Sequence, residues 1–102
     1  MTRIDPEVLN PWLRVAWEAD ATDLMLTAGS PPRMRTSGRL RPLEGEPVLT
    51  GEVLEDLVNS VLGPGTMETL RGRRDIDFAF TLFHIARVRG NAFLQRGEAA
   101  LA

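Results

Sequence analysis

The clearest pattern in the chain is a pair of alternating segments between residues 75 and 95. From residue 76 to 82 apolar side chains occupy every second position, and a similar alternation returns from 86 to 95. A period of two is typical of a half-buried strand, because successive side chains leave a strand on opposite faces. Two such segments with a short break between them predict an antiparallel hairpin. A hairpin alone is marginal, so other elements must cover its apolar face.

Shorter alternating segments predict the rest of the sheet. Residues 23–27 (DLMLT) predict one strand, and residues 33–41 (RMRTSGRLR) predict a second hairpin with an arginine-rich outer face. This hairpin is expected to turn at Ser37 and Gly38, because glycine permits the positive φ that tight turns require. Residues 98–102 (EAALA) predict the start of a strand with no terminating signal. We therefore interpret the chain as a fragment of a longer protein.

Helical periodicity predicts two helices that cover this sheet. The first spans 11–20 and starts at Asn10–Pro11, because proline fits the first turn of a helix. The second spans Gly51–Leu62, with Thr50 as its N-cap and Gly63–Pro64 as its end. Two further helical turns are predicted, at 1–9 and 66–70.

Composition places these elements in one globular domain. The chain has 102 residues, of which 43% are hydrophobic and 25% charged, a balance typical of a folded domain with a modest core. No apolar segment approaches the length of a membrane span, and no cysteine is available for a disulfide or a thiolate metal site. We predict a single α+β domain over residues 1–102, in the cytoplasm.

The charges disfavour several classes of function. The formal net charge is −2, whereas general nucleic-acid binders carry a strong basic excess. All twelve basic residues are arginine, so the chain has no Walker A lysine, Schiff-base lysine or lysine general base. A small enzyme is also disfavoured, because one histidine without cysteine or lysine leaves few groups for catalysis.

Most candidate chemical groups have plain structural interpretations. His84 is the only histidine, lies in the predicted hairpin turn and has no second histidine or cysteine with which to bind a metal. Asp75 and Asp77 share one strand face, where carboxylates are more often solvated than catalytic. Trp12 and Trp17 are expected to serve packing of the first helix.

The arginines of the second long strand are the stronger signal. Arg87 and Arg89 alternate on one face, and Arg96 follows at the end of the strand. Such a row is either solvated or paired with Asp75 and Asp77 across the hairpin. The competing interpretation is that one or two of these arginines reach a phosphate held by another domain, as arginine fingers do. The residues alone leave both interpretations open.

Several segments together resemble a known family. The segments ATDLMLTAGSPPRMRTSGRLRPL, LTGEVLEDLV, DIDFAF and ARVRGNAFLQRG resemble the N-terminal domain of type IV pilus retraction ATPases, the PilT-like branch of the secretion ATPase superfamily. The similarity runs from about Trp12 to the end of the chain, and the order and spacing of the segments carry it. The resemblance implies a PAS-like α+β domain, an antiparallel sheet covered by helices, that precedes a RecA-like ATPase domain. The Walker A and B motifs would lie in that second domain, so this fragment is not expected to be an enzyme, whereas its parent is expected to be an ATPase.

Two motifs show how much of the family's pattern this sequence retains. The family's A-S-D-L-H-L motif matches residues 21–26, where Met25 replaces the usual histidine. The role of that histidine therefore does not carry over. The family's R-F-R-V-N-x-F motif matches residues 87–93, which keep both arginines and the asparagine but lack one aromatic residue.

The resemblance also implies a role in assembly and regulation. Each such domain is expected to pack against its own C-terminal ATPase domain and those of neighbouring subunits in a homohexameric motor for pilus retraction and twitching motility. The inner-membrane platform of the pilus machinery would be a further partner, which places the parent in the cytoplasm at the inner membrane. ATP and Mg²⁺ would be cofactors of the parent, with none expected in the fragment. The residues that the resemblance assigns to nucleotide-phosphate contacts are Arg89, Arg87 and Arg96.

A stand-alone PAS-like sensor or interaction module is the alternative. It would need an apolar pocket with a few convergent polar groups for a small ligand. Tight filling of the core would disfavour it, and the side chains expected to fill that core are Leu24, Leu26, Leu54, Val58, Phe78 and Phe80.

Overall fold

The computed structural model describes residues 9–73, 75–82, 86–95 and 97–101. These residues form an α+β domain, as predicted. The helical turn predicted within 1–9 lies outside the described residues, except for Leu9. The elements, in chain order, are α1 (Asn10–Glu18), β1 (Asp23–Met25), β2 (Arg33–Thr36), β3 (Arg39–Pro42), α2 (Gly51–Leu62), α3 (Thr66–Gly72), β4 (Asp75–Leu82), β5 (Ala86–Gln95) and β6 (Glu98–Leu101).

The strands form two antiparallel sheets, in the orders β1-β2-β3 and β4-β5-β6. A single residue pair joins them: the amide of Leu26 donates to the carbonyl of Leu101 at 2.8 Å, and the amide of Leu101 donates back at 2.9 Å. The prediction of one continuous sheet was therefore wrong in this respect. The junction is limited to one pair because β1 is short and the chain turns immediately afterwards, at residues 28–29.

The β2–β3 hairpin confirms the predicted turn and corrects the predicted arginine face. Ser37 and Gly38 both have positive φ, 50° and 78°, as the favoured two-residue hairpin turn requires. This turn fixes a register in which Met34 lies opposite Arg41. Because directly opposite residues share a face, the arginines divide between both faces, and the prediction of a single arginine-rich face was wrong. Arg33 and Arg35 lie on one face, and Arg39 and Arg41 on the other.

Helix α2 has the predicted bounds. The side chain of Thr50 accepts a hydrogen bond from the amide of Val53 at 3.2 Å, which satisfies one of the free amides of the first turn. One face of the helix is buried, and Leu54 and Val58 are completely inaccessible to solvent. Helix α3 follows after Gly63–Pro64, and Asn59 ties the two helices together by accepting from the amide of Met67 at 3.1 Å.

Helix α1 begins one residue earlier than predicted and ends two residues sooner. Asn10 is its first residue and does not cap it, because Leu9 occupies the N-cap position and makes no side-chain capping bond. Leu13 is buried, and Trp12 packs against the core while its indole N–H donates to the carboxylate of Glu46. Trp17, by contrast, is 49% exposed, so only the first tryptophan serves the core.

The core lies where α2 and α3 cover the second sheet. Its largest completely buried side chains include Leu26, Leu54 and Leu70. Leu24, Phe78 and Phe80 pack against this core but are only partly buried. Of the six side chains expected to fill the core, three are therefore fully buried, and Leu24, Phe78 and Phe80 are buried only in part.

Candidate functional site

The β4–β5 hairpin positions the predicted phosphate-contacting arginines. Its register is continuous and places Arg89 opposite Ala79 and Arg87 opposite Thr81. Arg89 is exposed. For Arg87 the structure describes this backbone pairing alone, and Arg96 lies outside the described residues. Of the three predicted arginines, Arg89 is therefore the one whose side chain the structure describes.

The predicted ion pairs across the hairpin are not formed by Arg89. Asp77 lies opposite Asn91, whose side-chain amide donates to the Asp77 carboxylate at 2.8 Å. Within the part of the chain that the structure describes, Arg89 makes no ion pair with Asp75 or Asp77. Its guanidinium is therefore free, as far as the described residues go, to meet a group from outside the domain.

An open groove of about 270 Å³ lies between α1, the segment around β1 and the β4–β5 hairpin. Phe78 and Phe80 line it with parallel rings, whose centroids are 6.2 Å apart and whose planes differ by 2°. Leu13 and Trp17 line it from α1. The groove is thus apolar over most of its surface. The complete lining is Leu9, Leu13, Ala16, Trp17, Ala21, Thr22, Asp23, Leu24, Leu26, Phe78, Phe80, Val88, Arg89, Gly90 and Leu101.

Gly90 shapes the groove because it allows Phe78 to lie against the neighbouring strand. These two residues are directly opposite each other in the β4–β5 register. A Cβ atom at position 90 would overlap the ring of Phe78, so any larger residue would have to displace it. The sequence signal was a lone glycine inside an alternating strand, which often marks a close approach.

Two polar residues at the start of β1, Thr22 and Asp23, line the groove and are held by contacts with β2. The Nε atom of Arg35 lies 3.3 Å from a carboxylate oxygen of Asp23, which also accepts a hydrogen bond from the hydroxyl of Thr22 at 2.9 Å. The amide of Thr22 donates to the carbonyl of Arg35 at 2.9 Å. These contacts hold Thr22 and Asp23 in place at the groove, and both belong to the segment that matches the family's first motif.

Met25, at the position of the family's histidine, contacts an arginine. The Nη2 atom of Arg33 lies 3.5 Å from the Met25 sulfur and donates to the hydroxyl of Thr27 at 3.1 Å. Arg33 is thereby held against β1, although its buried Nε has no hydrogen-bond partner among the described residues. A thioether is a weak acceptor and cannot take up a proton at neutral pH. Met25 therefore acts here as a packing and weak acceptor group.

The described residues offer surfaces for contact. Among them, no three histidine, cysteine, aspartate or glutamate side chains come close enough to bind a metal ion. No helix in the described ranges is long and apolar enough to cross a membrane. The arrangement provides an apolar groove beside the β4–β5 hairpin and an exposed arginine, Arg89, which is also among the residues that line the groove.

Fold and surface together define the class of protein: an α+β domain of the kind found in the N-terminal region of the pilus retraction motor PilT. No protein-family model matches the chain. The type IV pilus ATPase PilU of Pseudomonas aeruginosa is 33% identical to it over 84 residues, which are 82% of this chain and 22% of PilU. Sequence and fold therefore agree on one origin.

Two solved structures support the same assignment. The crystal structure of the pilus retraction motor PilT with bound ADP matches with a TM-score of 0.76 at 29% identity, over 97% of this chain and 28% of PilT. The X-ray structure of the ATPase DotB of Legionella pneumophila matches with a TM-score of 0.79 at 28% identity, over 99% of this chain and 29% of DotB. The chain thus belongs to the PilT-like secretion ATPase superfamily and spans less than a third of each of these relatives.

Proposed function

We propose that this chain is the N-terminal assembly and regulatory domain of a hexameric pilus-retraction or secretion ATPase. The observation that carries the proposal is the combined match: 97% of the chain superimposes on PilT, and 82% of it aligns with PilU at 33% identity. The relatives are named as motors or ATPases, and this domain covers a minor part of each. In the proposed parent a second domain binds ATP and Mg²⁺, and the present domain supplies contacts.

The groove supports a role in packing against another domain. Phe78 and Phe80 are partly buried, and Trp17 beside them is 49% exposed. Apolar surface that is gathered in one concave site favours contact with a partner over contact with water. An ATPase domain, from the same or a neighbouring subunit, is the partner that the family relationship supplies. Packing of this kind, repeated head-to-tail, closes subunits into a ring.

Arg89 is the residue of this domain that we assign to the bound nucleotide, together with Arg87 and Arg96. The support for Arg89 is its exposure, its place on a regular hairpin and the absence of an ion pair with any described residue. A guanidinium is always charged and presents several donors in a plane, which suits phosphate oxygens. In this proposal the arginine contacts the phosphates as the domains rotate, and thereby couples hydrolysis to domain motion.

The coding sequence downstream of Ala102 provides the first test. The proposal expects a G-x-x-x-x-G-K-[ST] segment after a linker and a strand, because that loop holds the phosphates of ATP. A gene that continues without any such segment would exclude the ATPase parent.

The role of Arg89 is tested in the full-length protein by Arg89→Ala. ATP turnover should fall by about 100-fold or more, in the range of losses seen when a charge-stabilising donor is removed. The matched control is Arg73→Ala, which removes an exposed arginine from the end of α3. Both variants should retain the circular dichroism spectrum and ring size of the natural protein. Unchanged turnover in Arg89→Ala, or equal losses in both variants, would refute the assignment.

A small-ligand sensor is the second candidate, and the open groove is the observation that favours it. Its volume of about 270 Å³ is near the lower limit for a small-molecule site, and Thr22 and Asp23 supply polar groups in its lining. A fragment library screened by amide chemical shifts tests this function. The sensor predicts shifts confined to the groove, for example at Leu24, Val88 and Gly90. Shifts scattered over the surface, or none at all, would exclude it.

A further inference from the structure

The described fold has two outer strand edges, β3 and β4. Within the described residues, β3 pairs with β2 alone and β4 with β5 alone, whereas β1 and β6 meet at the Leu26–Leu101 bridge. An outer strand presents a row of backbone N–H and C=O groups that lack a strand partner on one side. Natural proteins either protect such an edge or use it to bind another strand.

The β4 edge is long, regular and acidic. It spans Asp75–Leu82 and pairs with β5 without a bulge, and it contains neither proline nor a basic residue. Asp75 and Asp77 are exposed on one of its faces, while Ile76 lies on the other face and packs against the core. Among the residues that the structure describes, the usual protective features of an edge strand are therefore missing, apart from the two carboxylates.

The β3 edge is short and has the complementary pattern. Arg39 and Arg41 are exposed on one face, and neither makes an ion pair with any residue that the structure describes. Leu40, on the other face, is partly buried. Pro42 ends the strand, and because proline lacks a backbone N–H, pairing along this edge cannot extend far.

We infer that β3 of one copy of this chain pairs antiparallel with β4 of a second copy. One register places Arg41 opposite Asp75 and Arg39 opposite Asp77. It also places Leu40 opposite Ile76, on the other face. Two unlike-charge pairs and one apolar pair then form together, and cross-strand pairs of these kinds stabilise a sheet.

The pattern selects this register over its neighbours. A shift by one residue would bring arginines onto the apolar face, since side chains alternate along a strand. A shift by two residues towards the hairpin tip would retain Arg41 opposite Asp77 but would leave Arg39 opposite Ala79. Pairing of β4 with a second β4 would bring two acidic edges together and would leave the arginines of β3 unused. Opposite charges therefore favour the β3–β4 contact.

The contact is head-to-tail and leaves a free edge at each end. Because it joins two different surfaces, it can repeat around a ring or along a filament. It involves no ATPase domain, so it stands or fails independently of the proposed function. With two exposed charge pairs and a short interface, the association should be weak and sensitive to salt.

Sedimentation equilibrium of the 102-residue chain tests this inference. At about 50 mM salt, the weight-average mass should rise as the protein concentration increases from about 10 µM to about 1 mM, and the rise should be smaller at about 500 mM salt. Arg39→Asp and Asp77→Arg should each weaken association roughly 5- to 10-fold, because each places like charges opposite each other. The double variant should recover association, because it restores an unlike pair with the signs exchanged.

Asp56→Arg is the matched control. It makes the same charge change as Asp77→Arg at an exposed site on α2, which belongs to neither edge strand, and should leave association unchanged. A mass that remains monomeric throughout would overturn the inference. Association that Arg39→Asp does not weaken would also overturn the inference and would indicate pairing through β4 alone. A double variant that does not recover association would overturn it as well. Arg39 makes no ion pair with any described residue, so Arg39→Asp should not lower the stability of the fold. A loss of association in this variant therefore reports on the contact between copies.

Discussion

Replacing Gly90 with alanine should lower the stability of the natural chain, but it should leave stability unchanged or raise it when Phe78 is replaced by alanine. In the natural chain the added Cβ would overlap the ring of Phe78. Overpacking of this kind costs about 1–3 kcal/mol. Against that cost stands a gain of about 0.5–1 kcal/mol from replacing glycine inside a strand. Three ring atoms would be overlapped, but the groove beside Phe78 gives the displaced ring somewhere to move, which places the overpacking cost near the middle of its range, at about 2 kcal/mol. The expected net loss is therefore about 1 kcal/mol.

Gly90→Ala should no longer destabilise the domain when the ring of Phe78 has been removed. In a Phe78→Ala background nothing large remains opposite position 90, so Gly90→Ala should be neutral or stabilise the domain by up to about 1 kcal/mol. The two substitutions should therefore couple by about 1–3 kcal/mol. Urea denaturation of the four proteins, followed by circular dichroism and tryptophan fluorescence, measures the complete cycle.

Gly72→Ala serves as the control for this cycle. A Cβ at position 72 meets no atom within 4 Å, and the residue lies in the last turn of α3 without a positive φ. This variant should be neutral or slightly stabilising in either background. If Gly90→Ala stabilises the natural chain, or if its effect is the same with and without the Phe78 ring, the close contact does not determine the choice of glycine.

Other features of the fold give further measurable expectations. Thr50→Ala should lower the unfolding free energy in urea by about 1 kcal/mol, since it removes the N-cap of α2; an unchanged value would argue against the cap. Leu54→Ala should cost about 2–5 kcal/mol in the same assay, because Leu54 is 0% exposed; a smaller loss would contradict its burial. Arg35→Ala should cost at most about 1 kcal/mol, because its ion pair is exposed; a larger loss would mean that the pair is better shielded. Acrylamide should quench Trp17, which is 49% exposed, more strongly than Trp12; equal quenching in the two single-tryptophan variants would contradict the packing of α1.

Local signals predicted most of the secondary structure. Helix α2 has the predicted bounds because a capping threonine precedes it and Gly63–Pro64 follows it. The β4–β5 hairpin was predicted from the alternation of apolar and polar residues, which is the pattern of a strand with one buried face. Both signals act within a few residues of the element they define, so no knowledge of the rest of the fold is needed to use them.

The errors concern how elements meet. The sequence showed strands but not that the two sheets would share only the Leu26–Leu101 pair, since this depends on residues far apart in the chain. It showed four arginines around the second hairpin but not their division between its faces. That division follows from the register set at Ser37–Gly38, and a shift by one residue would have reversed it.

The candidate site was only partly accessible from sequence for the same reason. Alternation alone placed Arg89 on a strand face. Only the structure shows that Arg89 makes no ion pair with a described residue. The groove depends on where α1 lies relative to the hairpin, and neither segment encodes that relation by itself. Met25 shows a further limit, because a substitution at a family position removes one role without revealing that Arg33 would contact the new side chain.

The surfaces left unsatisfied within the described residues are the ones that point to function. Phe78 and Phe80 are held by the core at one side and open to the groove at the other, Arg89 is exposed on the same hairpin, and β4 offers a free edge beside them. A domain that worked alone would gain stability by covering the rings or by protecting the edge. Retaining all of these features on one hairpin supports the proposal of a domain whose remaining contacts come from neighbouring domains.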